Sequence, residues 1–275
     1  MENKLLSRYN VTLAGNQDAK ETLMFVNGLG TDQRAWHDVM PAFKEHYRLV
    51  LFDNVGAVES NQDYFWVNQH RYLNVSGYVT DLLEICSALT LDGNTTMIGH
   101  SLGAMAGLLA SIQNPRQFKQ LVLIAASPRY ANTEGYIGGF LKSDIDDTYV
   151  AMTKDYSSWS DSFAKAAMGN PDRPHLAEHF AESLRRIPKD MMLTVLCSVL
   201  QTDQRECLSK VKVPALVVQS RGDLFVPLGV AEYLCNTIPD CRLRLIEATG
   251  HLPHVSAPGQ VIEAIREFIQ PINAS

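Results

Sequence analysis

Hydrophobic positions in this chain fall into two recurring patterns. Short continuous apolar runs occur at Leu23-Met24-Phe25-Val26, Leu49-Val50-Leu51-Phe52, Leu121-Val122-Leu123-Ile124 and Ala215-Leu216-Val217-Val218. Runs of this length without polar alternation predict strands covered on both faces. Between them lie segments with apolar residues at helical spacing, such as Val79, Leu82, Leu83, Cys86 and Leu89, then Leu102 to Ile112, Leu228 to Ile238 and Gln260 to Ile269. Apolar strand, loop and amphipathic helix in alternation predict an α/β fold, a mostly parallel sheet with helices on both faces. Residues 7 to 13 alternate well enough for a first strand. Gln33 to Phe43 reads as helical, 57 to 74 as an irregular surface loop, and Leu243-Arg244-Leu245-Ile246 as the last strand.

The alternation fails after Ser127-Pro128. No strand-like run follows until Pro214, which is too long a stretch for a plain crossover loop. Four helical patterns fill it instead. Ile145, Tyr149, Met152 and Tyr156 mark the first, and Trp159, Phe163 and Ala167 the second. Leu176, Phe180 and Leu184 mark the third, after the break at Gly169-Asn170-Pro171. Pro188 stands where a first-turn proline belongs, ahead of Met192, Val195, Leu196 and Val199. A helical insertion rich in Met and aromatics is expected to form a lid over an apolar pocket. Residues 129–202 would be that lid, and 1–128 with 203–275 the core.

Composition narrows the function classes. Of 275 residues 46% are apolar and 20% charged, enough to bury a full core. The net charge is −6 and no Lys/Arg-rich run occurs, so the electrostatic footprint of a nucleic-acid binder is missing. Five cysteines, odd in number and without Cys-x-x-Cys spacing, point to neither a disulfide framework nor a zinc site, and reduced thiols are expected. The start lacks the apolar core of a signal peptide, and no apolar run is long enough for a membrane span. A cytoplasmic monomer is expected, with no metal, cofactor, nucleic acid or membrane partner.

The chemistry is concentrated at strand ends. Gly99-His100-Ser101-Leu102-Gly103 fits Gly-x-Ser-x-Gly, with an apolar strand before it and an amphipathic run after it. That context is a strand-to-helix turn that lifts a serine clear of the sheet, and its glycines leave room for the strained backbone. A serine hydroxyl needs a base within hydrogen-bond reach and a group that orients the base. Asp223 follows a later strand and His251 the last one, so the chain order is Ser…Asp…His. His254 is the neighbouring candidate for the base, while His100 cannot reach the hydroxyl from within the turn and reads as a packing residue. The backbone N–H groups of Leu102 and of Leu29, in the glycine-rich loop 27–32, would meet the oxyanion.

Beyond these residues, Gly28-Leu29-Gly30-Thr31-Asp32-Gln33, Leu51-Phe52-Asp53-Asn54-Val55-Gly56, Ser127-Pro128-Arg129-Tyr130, Gly138-Gly139-Phe140, Asp223-Leu224-Phe225-Val226-Pro227 and Gly250-His251-Leu252-Pro253 together resemble one branch of the α/β-hydrolases. That branch holds the bacterial stress-response regulator RsbQ and the plant karrikin and strigolactone receptors. The resemblance runs nearly end to end and implies a V-shaped four-helix lid. It also implies a pocket lined by Tyr130, Phe140, Trp159, Phe163, Phe180, Val199, Leu200 and Leu224. These side chains imply a small hydrophobic ester, lactone or enol-ether ligand. Where relatives often carry His-Gly-Phe-Gly, this chain has Asn27-Gly28-Leu29-Gly30, which should widen the pocket mouth.

The expected function is a serine hydrolase acting through an acyl-enzyme, with a possible signalling role. The alternative is a regulatory ligand-binding protein whose liganded lid engages a protein effector, a phosphatase or another regulator. A third reading puts carbon–carbon bond hydrolysis or cofactor-free oxygenation on the same triad.

Overall fold

The computed structural model describes residues 2–269. Seven strands make one sheet: β1 (Thr12–Gly15), β2 (Thr22–Val26), β3 (Arg48–Leu51), β4 (Thr95–His100), β5 (Gln120–Ile124), β6 (Ala215–Gly222) and β7 (Cys241–Thr249). Their spatial order is β1-β3-β2-β4-β5-β6-β7, parallel throughout except for β1 against β3. The helices are α1 (Glu2–Arg8), α2 (Glu59–Val67), α3 (Ser76–Ala88), α4 (Leu102–Gln113), α5 (Lys142–Lys154), α6 (Tyr156–Met168), α7 (Pro174–Arg185), α8 (Lys189–Leu200), α9 (Leu228–Thr237), α10 (Pro253–Ser256) and α11 (Pro258–Ile269).

Side-chain alternation splits each apolar strand between two cores. Leu23, Phe25, Leu49 and Ile98 face Trp36, Phe43, Val261 and Ile265 on one side. Met24, Val26, Val50 and Met97 face α3, α4 and α9 on the other, through Leu82, Ile85, Leu108 and Leu234. Two-sided burial explains why these strands read as unbroken apolar runs. Each fully buried Leu, Ile or Phe contributes about 1.5–3 kcal/mol by transfer from water. The second core continues into the insertion, with Met152, Trp159, Leu184 and Leu196 in the same cluster. The insertion, α5 to α8, leaves the sheet after β5 and returns at β6.

Several expectations need correction. The strand assigned to residues 7–13 begins at Thr12, because the chain up to Arg8 is helical. There the Tyr9 hydroxyl donates to Asp81 and Glu84 of α3, which fastens this segment to α3. The segment 33–43 holds two 3-10 turns, Gln33–Trp36 and Met40–Ala42, with Pro41 in the first turn of the second, where its missing N–H is tolerated. The supposed loop 57–74 contains α2; Phe65 and Asn61 are its buried residues, and Asn61 binds the Gly56 N–H and the Asn54 carbonyl. Tyr156 opens α6 rather than closing α5, since Asp155 caps α6 by accepting from Ser158 N–H. Cys235 and Cys241 are joined in a disulfide where reduced thiols were expected. The turn from α9 into β7 brings their Cα atoms to 5.0 Å, a proximity that spacing in sequence does not reveal. Among the described residues no helix is long and apolar enough to cross a membrane.

Candidate active site

Ser101 stands between β4 and α4 with φ +51° and ψ −115°, a left-handed conformation that L residues avoid. Its N–H donates to Ile124 of β5 at 2.9 Å and its carbonyl accepts from Met105 at 3.1 Å, so the strained turn is held from both ends. The two glycines of the motif are needed for closeness. A Cβ on Gly99 would lie 2.6 Å from the backbone of Ala104, and one on Gly103 would lie 2.5 Å from the carbonyls of Val26 and Asn27. Nothing larger than hydrogen fits at either position.

Three strand-end residues meet over this turn. Ser101 Oγ donates to His251 Nε2 at 2.9 Å, and His251 Nδ1 donates to Asp223 Oδ2 at 2.9 Å. The tautomer follows from the carboxylate, which can only accept. Asp223 Oδ1 is occupied by the N–H groups of Phe225 and Val226, and Oδ2 also accepts from Gln219 Nε2. Burial pushes this carboxyl up, but the His251 ring, the Phe225 N–H and the Gln219 amide outweigh it and hold it below the ordinary carboxylate range. All three residues are buried. His254 is not part of this chain of bonds. It lies between Trp36 and His100, tilted against both rings, and burial together with the nearby His251 pushes it down to about 3, so it stays neutral.

A family profile described as "alpha/beta hydrolase fold" matches residues 21–258. The chain belongs to the α/β hydrolase family. It is 39% identical over 269 residues to the strigolactone esterase D14 of Arabidopsis thaliana, covering 98% of each chain. It is 38% identical to the karrikin insensitive 2 receptor IA of Petunia hybrida, covering 91% of this chain and 90% of that one. Among solved structures it is similar to a hydrolase from Oleispira antarctica, with a TM-score of 0.93, 28% identity, and 98% and 97% of the two chains covered.

In this α/β hydrolase a cavity of about 360 Å³ opens above Ser101. Leu29, Tyr130, Phe140, Trp159, Phe163, Phe180, Val199 and Leu200 all line it, with Ser101 and His251 at its floor. Trp159 and Phe163 share one face of α6, ring centroids 4.8 Å apart. Tyr130 is the one lining phenol, and its hydroxyl lies 3.2 Å from Ser101 Oγ. Because Oγ already donates to His251, the Tyr130 O–H is the donor here. Burial pushes that phenol up to about 12, which keeps it protonated.

Leu224 does not line the cavity. It is 69% exposed, because the turn in which Asp223 Oδ1 binds the Phe225 and Val226 N–H groups sends residue 224 outward. Phe225 takes its place, with its ring 5.4 Å from His251 and 5.0 Å from Phe163. Sequence reasoning missed Phe225, Leu196 and Leu252. Leu196 was visible only as one apolar position of a helix, and nothing in a list of apolar residues distinguishes a pocket wall from a core. Leu102 is buried beside Ser101 and faces a second, small cavity that it shares with Leu29.

Proposed function

We propose that this α/β hydrolase is a serine esterase or lactonase acting on a small, uncharged, apolar substrate through Ser101, His251 and Asp223. The observation that carries the reading is the unbroken relay from Ser101 Oγ through His251 to Asp223 at the floor of an apolar cavity. In the reaction Ser101 Oγ forms a bond to the substrate carbonyl carbon while its proton passes to His251 Nε2. The carbonyl oxygen becomes an oxyanion, for which the backbone N–H groups of Leu29 and Leu102 are the proposed donors. The C–O bond to the leaving group then breaks and His251 returns its proton to the departing oxygen. Water, deprotonated by the same imidazole, then attacks the acyl carbon; the acyl–Oγ bond breaks, His251 returns the proton to Ser101 Oγ, and the acid leaves. Asp223 holds the ring in the one tautomer that works and supports the transient imidazolium.

The residue types in the wall favour an apolar ester or lactone, since a charged ligand would lose its hydration with little in return. The test is p-nitrophenyl acetate hydrolysis together with mass spectrometry of fluorophosphonate-treated protein. Wild type should turn over and carry the label on Ser101, and Ser101→Ala should do neither. Turnover by Ser101→Ala would sink the proposal.

A second reading draws on a different observation, the receptor names borne by several relatives. In it the liganded lid, rather than the released acid, is the output, and a protein effector such as a phosphatase reads it. If so, Ser101→Ala will still bind ligand, seen as a thermal shift, and still engage the effector.

A further inference from the structure

The catalytic base is gripped by the helical insertion as well as by the sheet. His251 N–H donates to the carbonyl of Ala167, in the last turn of α6, at 2.6 Å. From the opposite side His100 Nε2 donates to the His251 carbonyl at 2.7 Å. Both polar groups of the His251 backbone are therefore committed, one to the insertion and one to the strand that carries the nucleophile.

The α6–α7 corner adds further links. Asn170 Nδ2 donates to Thr249 O at 2.9 Å and to Met168 O at 2.5 Å, bridging the base loop and the end of α6. Arg173 donates to the Asn170 side-chain oxygen and, through Nη1, to Ser256 O at 2.8 Å. These bonds enclose residues 249–256, from the end of β7 through α10, the segment on which His251 sits. Gly250, at φ +94°, has no space for a side chain, because a methyl there would run into the Met168 carbonyl. A half-buried amide and guanidinium at a helix corner, each sending one donor to residues 249–256, do more than finish a helix.

We infer that Asn170 and Arg173 are positioning residues, which seat the α6–α7 corner on the base loop and so make the position of His251 depend on the position of the lid. The inference rests on the reading of His251 as the base. Its physical content is that the reaction tolerates little error in Nε2. A displacement of about 1 Å at a catalytic group costs up to about a hundredfold in rate. A lid that lifts at this corner would therefore switch off the base as it moves the pocket walls that α6 carries.

The test compares Asn170→Ala, Arg173→Ala and the conservative Arg173→Lys with wild type and Ser101→Ala on p-nitrophenyl acetate. The two alanine variants should lower kcat by about five- to fiftyfold with KM within about twofold. Arg173→Lys keeps a cationic donor toward Ser256 and should recover most of the loss. Hydrogen exchange at 249–256, including the His251 amide, should accelerate in the alanine variants while β4 stays protected. A rise in KM alone, or kcat within twofold of wild type despite faster exchange, would overturn the inference. If Asn170→Ala fails to fold, Arg173→Ala against Arg173→Lys decides the matter by the same criteria. Hydrolysis surviving in Ser101→Ala would instead overturn the underlying serine-esterase reading, so the two failures are distinguishable.

Discussion

Replacing Asp223 by Asn changes one atom and should inactivate the enzyme. The surroundings dictate which way the new amide faces. Oδ1 accepts from the N–H groups of Phe225 and Val226, so an NH2 cannot occupy that position. The amide nitrogen must take the Oδ2 position, facing His251 Nδ1 and Gln219 Nε2. An amide donor there forces His251 Nδ1 to accept, which puts the ring proton on Nε2, facing Ser101. The base then has no lone pair for the hydroxyl. Gln219 cannot relieve the donor–donor conflict by flipping without giving up its bond to the Val226 carbonyl at 3.0 Å. We expect kcat on p-nitrophenyl acetate to fall about 10³- to 10⁴-fold at pH 7, with KM little changed. That loss corresponds to about 4–5.5 kcal/mol of transition-state stabilisation. Initial rates over a substrate series, with active-site titration to count folded sites, supply the measurement. An Asp223→Asn protein retaining a tenth of wild-type kcat would refute the tautomer reasoning.

Four further outcomes are expected. Phe163→Ala should weaken binding of apolar ligands by about 1–3 kcal/mol, read by calorimetry, because the ring lines a cavity rather than filling a core; an equal loss of fold stability with unchanged binding would contradict this. Leu29→Phe keeps the backbone N–H and narrows the cavity, so turnover of an acetate ester should change little while a bulky ester responds strongly; a hundredfold fall in both would mean that the side chain sets the loop geometry. Tyr130→Phe removes the second hydrogen bond to Ser101 Oγ and should lower kcat by about three- to tenfold, the worth of a neutral hydrogen bond; with the phenol held near 12, the wild-type rate should show no inflection from it between pH 7 and about 10. Asp81 is pushed up to about 6 by burial, against the pull of Arg71. A carboxyl raised in the folded state contributes stability below its unfolded value and loses it as pH rises through its folded value, so urea midpoints should fall between pH 4 and about 6, and Asp81→Asn should flatten that slope.

What the sequence alone determined was much of what depends on local pattern. Unbroken apolar runs marked β2, β3, β5 and β6 because strands buried on both faces have no polar side to show. The helical periods of α3, α4 and the four inserted helices were equally plain. Ser101, Asp223 and His251 could be chosen because a parallel sheet brings the C-terminal ends of its strands to one edge, so order along the chain becomes proximity in space. The tertiary structure decided whatever depends on the direction of a side chain or on a distance across the sheet. Leu224 and Phe225 are both large and apolar, and only the hydrogen-bonded turn at Asp223 sends one outward and the other into the cavity. Cys235 and Cys241 meet because a helix and a strand reverse direction between them. The hydrogen bonds that His251 makes with His100 and Ala167 join residues far apart in the chain. Such contacts leave no periodic trace, since a backbone carbonyl that accepts a hydrogen bond has the same chemistry in every residue.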